Sequence, residues 1–230
     1  GAGRVGLAGG SSAAWMNHSF CTRSHWRNTN SGREMIHFSK YDCDRSIPNM
    51  MDGLKTSQRK ILYTAFKRNL RSEIKVAQLS GSVSELSCYH HGEASLNGAI
   101  KGMAQTFVGS NNINLLEPKG QFGTRLRGGD DAASERYIHT HLSPIARALF
   151  PEQDDAILRY LDDDGTPVEP VFYAPVIPLA LVNGAKGIGT GFSTDIPSYN
   201  PKDLIKATRR WLGPSSSAPD SDAGTMLPYF

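Results

Sequence analysis

The sequence predicts an α+β chain in which a helix-turn-helix unit with a β wing precedes an α/β unit. Three observations carry this reading. Three amphipathic segments follow one another between residues 54 and 107. A stretch holding Gly120, Gly123, Gly128 and Gly129 comes next, with the composition of turns and a wing. From Leu158 short apolar runs are punctuated by Pro167, Pro170, Pro175 and Pro178, which suits short or edge strands.

Taken in order, residues 1–33 lack periodicity and mix Gly, Ser, Asn and Arg with isolated Trp15 and Trp26, the texture of a flexible leader. Dense patterning runs from Glu34 to Leu212. In Leu54–Arg68, Leu54, Ile61, Leu62 and Ala65 fall on one helical face, while Lys55, Arg59, Lys60 and Lys67 lie largely elsewhere. In Lys75–Cys88, Val76, Leu79, Val83 and Leu86 recur at helical spacing; in Glu93–Phe107, Leu96, Ile100, Met103 and Phe107 do the same, with Gly92 as the break between the two. Three short helices, one of them basic, match a helix-turn-helix unit. Tyr137–Thr140 reads as a strand, and Ser143–Phe150 as a helix that tolerates Pro144 in its first turn. Past a boundary near Pro151, strands are expected at Leu158–Leu161, Val168–Tyr173 and Leu179–Val182. Asn200-Pro201 opens a last helix whose Leu204, Ile205, Trp211 and Leu212 share a face, and residues 213–224 read as a Ser/Pro loop.

The 230 residues carry 25 Lys+Arg, 22 Asp+Glu and a formal charge of +3, with 39% hydrophobic residues, enough for a core. No apolar run approaches the ~20 residues that cross a bilayer, which argues against a membrane-spanning chain. Cys21, Cys43 and Cys88 are sparse and not in CxxC spacing, which argues against a zinc ribbon or a disulfide scaffold. The charge is segregated: residues 45–75 hold eight bases against two acids, and residues 130–169 ten acids against three bases. A concentrated basic segment suits a polyanion partner, and it equally suits a solvated face.

Few motifs carry chemistry on their own. No phosphate loop occurs, and Gly187-Ile188-Gly189-Thr190-Gly191 lacks the spacing and βαβ context of a dinucleotide site. Asp162-Asp163-Asp164-Gly165 is not an EF-hand loop and reads as a solvated acidic turn. His90-His91 could ligate a metal, contact phosphate or simply pack. Tyr137 could attack phosphorus, with Arg136 offsetting charge in a phosphorane-like transition state; an exposed tyrosine without chemistry is the alternative.

A series of ordered motifs goes further. Asp44-Arg45-Ser46-Ile47-Pro48-Asn49-Met50-Met51-Asp52-Gly53-Leu54-Lys55 and the Gln58-Arg59-Lys60-Ile61-Leu62 that follows open it. Lys75-Val76-Ala77-Gln78-Leu79, Tyr89-His90-His91-Gly92-Glu93, Phe107-Val108-Gly109-Ser110-Asn111-Asn112 and Gly120-Gln121-Phe122-Gly123-Thr124-Arg125 continue it. Arg136-Tyr137-Ile138, Val168-Glu169-Pro170 and Asn183-Gly184-Ala185-Lys186-Gly187-Ile188-Gly189-Thr190-Gly191 complete it. In this order and spacing the series resembles the DNA gate of type IIA DNA topoisomerases, in the wording of the eukaryotic enzyme, over about Glu34 to Leu212, and Met226–Phe230 resumes it.

The resemblance implies a winged-helix DNA-gate domain over residues 34–150 and part of a tower domain over 151–230, behind an unmatched leader. It implies that Tyr137 attacks a DNA phosphate to give a 5′-phosphotyrosyl adduct, with Arg136 as transition-state partner and Arg45 and His91 beside the scissile phosphate. Lys55, Arg59, Lys60 and His90 become phosphate contacts, Gln121 a wing residue next to the cleavage site, and Ile188 an apolar wedge that enters the base stack. Implied too are duplex DNA as partner, a homodimer, no membrane, a nuclear location, and Mg2+ and ATP held by Toprim and ATPase domains outside this chain. The isolated chain is then expected to be inactive alone. Asp130 stands where relatives carry lysine, and its carboxylate opposes the phosphate backbone. That departure favours the alternative, a catalytically silent winged-helix DNA-binding module.

Overall fold

The computed structural model describes residues 30–213 and 226–229. The leader reading over residues 1–29 and the Ser/Pro-loop reading over 214–224 lie outside the described residues.

The first helix, α1 (Asn30–Ser46), starts before Glu34 and has no counterpart in the periodicity reading. The reason is physical. Met35, Ile36, Phe38 and Tyr41 stay exposed, so α1 has no buried apolar stripe to reveal it. It packs instead through Asp42, Cys43 and Ser46.

Three helices follow: α2 (Thr56–Lys67), α3 (Val76–Ser87) and α4 (Glu93–Ala104). Their apolar faces are buried as the spacing predicts: Leu54, Ile61, Leu62 and Ala65; Val76, Leu79 and Val83; Leu96, Ile100 and Met103. Lys55 N–H donates to Gln58 Oε1 at 2.9 Å, which occupies a donor at the start of α2. Cys88, in left-handed backbone at φ 49°, ends α3. Strand β1 (Ile74–Lys75) sits between α2 and α3 and pairs with β3 (His139–Leu142), which pairs in turn with β2 (Leu116–Lys119), all antiparallel. This sheet is the wing's base. The strand expected at Tyr137–Thr140 starts at His139, so Arg136 and Tyr137 belong to the preceding loop.

Short helix α5 (Pro144–Leu149) leads into the second half. The apolar core runs across Pro151: Phe66, Phe150 and Tyr173 pack edge to face, with centroids 5.4–6.1 Å apart. Strands β4 (Tyr160–Asp163) and β5 (Thr166–Pro170) form a hairpin around the acidic turn. The strand expected at Leu179–Val182 is instead one helical turn, α6 (Leu179–Val182), closed by Val182 N–H and Asn183 N–H bonding Pro178 O and Leu179 O. A four-residue apolar run carries no period that separates strand from buried helix. The glycine-rich run forms a second hairpin, β6 (Ala185–Gly189) and β7 (Phe192–Ile196).

Helix α7 (Pro201–Leu212) is capped by the Asn200 side chain, which accepts from Lys202 N–H at 2.9 Å. Its expected apolar face is only partly used: Leu204 is buried, but Trp211 and Leu212 are 85% and 71% exposed. Tyr199 bridges to Pro228 beside it, and Tyr229 N–H bonds Ser198 O at 2.8 Å.

Candidate nucleic-acid interface

The turn between α1 and α2 sets the site. Gly53 takes φ +68°, and a side chain there would meet the Ala180 backbone at 2.7 Å, so the turn is folded tightly onto α6. Asp52, fully buried, organises it. Its carboxylate accepts from Leu54 N–H (3.0 Å), Tyr173 N–H (2.9 Å), and Arg59 Nε and Nη2 (2.8 and 3.0 Å). The turn thereby delivers Lys55 to the N-terminus of α2, whose free N–H groups favour an anion.

Arg45, Lys55 and Lys186, with Ser57 and Tyr89, line an open cleft of about 490 Å³, and Ile188 stands on its wall. Ile188 is 75% exposed, between Gly187 and Gly189 near the tip of the β6–β7 hairpin. Three bases and one projecting apolar side chain are therefore gathered from three separate elements. A polyanion with a stackable interior suits this combination.

The hairpin lies tightly against α1. A methyl group on Gly187 would fall 2.3 Å from Ser46 O, so only glycine permits this approach. Asp42 Oδ2 accepts from both Thr190 N–H (2.8 Å) and Thr190 Oγ1 (2.7 Å). These bonds, the Thr190 hydroxyl first, hold the Asp42 carboxyl below its ordinary value. The sequence suggests a role for neither Asp42 nor Thr190; no spacing rule joins residues so far apart in the chain.

His91 is held by Tyr41, whose hydroxyl lies 2.8 Å from Nε2, and by the edge of Tyr89 at 5.3 Å. Burial, then the nearby positive charges of Arg45, His90 and Lys60, lowers its pKa and favours the neutral ring. Tyr41 is a second contributor from α1 that periodicity misses. His90 points elsewhere, with its exposed ring 3.4 Å from Asp163 Oδ2 in the acidic hairpin.

Two expected phosphate contacts are corrected. Arg59 is 6% exposed and is spent on Asp52 and on Leu54 O. Lys60 Nζ bonds Ser87 O and pairs at 2.7 Å with Glu169, itself 2% exposed. A helical wheel separates basic from apolar positions, but it cannot tell a charge facing water from one facing a buried partner from another element.

Arg136, Tyr137 and Gln121 sit apart from this cleft, in the loop between β2 and β3. Tyr137 is 78% exposed, and Arg136 and Gln121 are exposed as well. The backbone beneath them is well tied. Tyr137 N–H bonds Ser134 O, while Ala77 and Val76 N–H bond Glu135 O and Ile138 O. Ile138 is buried, and Gln121 O accepts from Ala133 N–H. The Asp131 carboxylate takes Thr124 N–H and Oγ1 at 2.8 and 2.7 Å. The loop thus presents the Tyr137 hydroxyl from a fixed base. Asp130 is exposed in this loop. Among the described residues no group of three His, Cys, Asp or Glu side chains could hold a metal ion.

Comparison with known proteins agrees with this geometry. The sequence model of the DNA gyrase/topoisomerase IV family, in its A-type polypeptide, matches residues 45–230. DNA topoisomerase 2 of Arabidopsis thaliana is 61% identical over 187 residues, 81% of this chain and 13% of that protein. Probable DNA topoisomerase 2 of Dictyostelium discoideum is 64% identical over 177 residues, 77% of this chain and 12% of that protein. The crystal structure of the Plasmodium falciparum topoisomerase II DNA-binding, cleavage and re-ligation domain superposes with a TM-score of 0.77 at 54% identity. That match covers 86% of this chain and 26% of that one. The chain thus spans about an eighth of the length of these curated relatives.

Proposed function

Since the chain belongs to the DNA gyrase/topoisomerase IV family of A-type polypeptides, we propose that it forms the DNA-gate part of an ATP-dependent type II DNA topoisomerase of eukaryotic type, acting on duplex DNA in the nucleus as part of a homodimer. The observation that carries this reading is the cleft that joins Arg45, Lys55 and Lys186 to the exposed Ile188.

In this reading the bases of the cleft neutralise backbone phosphates, and Ile188 wedges between base pairs, which costs a few kcal/mol of stacking and bends the duplex onto more protein. The Tyr137 oxygen attacks a phosphorus atom. A P–O bond to the tyrosine forms as the bond to the 3′ oxygen breaks, the phenolic proton leaves, and the 3′ oxygen takes up a proton. Arg136 offsets charge on the equatorial oxygens in the transition state. Reversal reseals the strand without an external energy source, because the phosphodiester is exchanged and not hydrolysed. Arg45 and His91 serve the same phosphate from the cleft. Tyr137 does not line that cleft, so the wing and the cleft meet on one duplex when two copies clasp it.

The family also implies Mg2+ and ATP. The residues present do not fit either: no cluster of three candidate ligands occurs among the described residues, and the sequence has no phosphate loop. Both belong to other parts of the longer protein, and no step here runs through them. The chain alone is therefore expected to bind DNA without relaxing supercoils.

The test supplies the missing acidic domain by fusion, adds magnesium and supercoiled DNA, and traps adducts with denaturant. A covalent protein–DNA adduct is expected, and it is absent in Tyr137→Phe. An adduct that persists in that variant rejects Tyr137 as the nucleophile, and relaxation by the chain alone rejects the division of labour.

A further inference from the structure

We propose that Asp42 is a positioning residue for DNA bending: by holding Thr190 it fixes the β6–β7 hairpin so that Ile188 stands out over the cleft. The inference rests on the DNA-gate reading and assigns a task to a residue that reading leaves unused.

The support for this exposed apolar side chain is thin. Ile188 is paired only with Ser193, inside a sheet that has two strands among the described residues, and a lone hairpin is marginal by itself. Both neighbours of Ile188 in sequence are glycines, so side-chain packing next to it is nil. A wedge that must push bases apart needs a rigid base, since a hairpin that yields relaxes before the stack opens. In this chain the base is α1. The hairpin meets it through Gly187 under Ser46 O and through Gly189 beside Cys43. Close contact alone would let it slide. The two hydrogen bonds from Thr190 to one oxygen of Asp42 stop the sliding, and the other oxygen is held by Ser46 Oγ at 3.2 Å.

The chemistry of Asp42 supports a mechanical role. A carboxylate three residues before Arg45, beside a cleft for phosphates, opposes DNA binding electrostatically. Its oxygens are turned to Thr190 and Ser46, which satisfy them within the protein. An ionised acceptor makes stronger bonds to N–H and O–H donors than a neutral one.

The test uses the full 230-residue chain and a duplex labelled at both ends with a fluorophore pair, so that bending is read as energy transfer and binding as anisotropy over a salt series. The wild-type chain is expected to bend the duplex, and Ile188→Ala to lose the bend. Asp42→Ala is expected to lose it to the same degree, with the log–log salt slope unchanged because the phosphate contacts remain. Asp42→Asn, which keeps one acceptor, recovers part of the bend. Thr190→Val, which removes only the hydroxyl bond, loses part of it and guards against a folding defect in the aspartate variants. The double variant Asp42→Ala/Ile188→Ala bends no less than Ile188→Ala alone. A wild-type chain that leaves the duplex straight overturns the DNA-gate reading and the proposal together. A wild-type bend that Asp42→Ala preserves overturns the proposal alone, as does a shallower salt slope, which would mean that Asp42 acts through Arg45.

Discussion

Removing the Asp52 carboxylate separates the two roles open to Arg59. The guanidinium is 7% exposed and its partner carboxylate 0% exposed. Asp52→Ala deletes both acceptors of that fork and leaves Arg59 with Leu54 O at 2.9 Å, while Leu54 N–H and Tyr173 N–H lose their acceptor. Stranding one member of a buried ion pair costs about 3–5 kcal/mol. With a urea m value of about 2 kcal/mol/M, that moves the unfolding midpoint down by roughly 2 M. Urea titration followed by tryptophan fluorescence and far-UV circular dichroism measures it. The double variant Asp52→Ala/Arg59→Met, which takes the orphaned charge away, recovers part of the loss. Arg59→Met alone leaves the salt slope of DNA binding unchanged. A loss of less than about 1 kcal/mol in Asp52→Ala is the range of exposed pairs, and together with a shallower slope in Arg59→Met it would refute the buried-strut assignment and return Arg59 to the DNA.

Lys55→Ala should shallow the log–log salt slope of DNA binding by about one unit, the loss of one phosphate contact; an unchanged slope removes Lys55 from the interface. Leu204→Ala should cost about 2–5 kcal/mol as a core truncation, and Trp211→Ala less than about 0.5 kcal/mol, both read from urea midpoints. Equal costs would mean that α7 buries the whole face its sequence suggests. His91 has its pKa lowered by burial and then by Arg45, His90 and Lys60. Below the ordinary histidine range near 6.5, the unfolded chain takes up a proton that folded His91 resists, so this term lowers stability as pH falls and is absent well above that range. Midpoints at about pH 7.5 and about pH 5.5 should therefore differ more in the wild-type chain than in His91→Gln, on the same linkage; equal differences would refute it.

The α+β class, the three helices around the basic segment and the ordered motifs are legible because they are local. Ile61, Leu62 and Ala65, or Val76, Leu79 and Val83, bury themselves at a spacing that the chain itself declares. Tyr137 is legible through its neighbours Arg136 and Ile138 and its place after the glycine-rich stretch. Legibility fails where a residue's role depends on a distant partner. Leu179–Val182 coils because Pro178 opens a turn that buries it beside α7, and four apolar residues do not encode that choice. Trp211 looks like core and lies in water.

The sequence by itself determined the periodic helices, the basic and acidic halves and the order of the motifs, since each is a property of neighbouring residues and their free energies of burial. Only the tertiary structure decided which charges remain free. Lys55 and Arg59 lie four positions apart in one basic run, yet one lines the cleft and the other is buried on Asp52. Asp42 reaches Thr190 and Tyr41 reaches His91 across chain separations of 148 and 50 residues. A charge or a hydroxyl takes its role from the dielectric and the partner it meets, and both are fixed only when distant segments pack together.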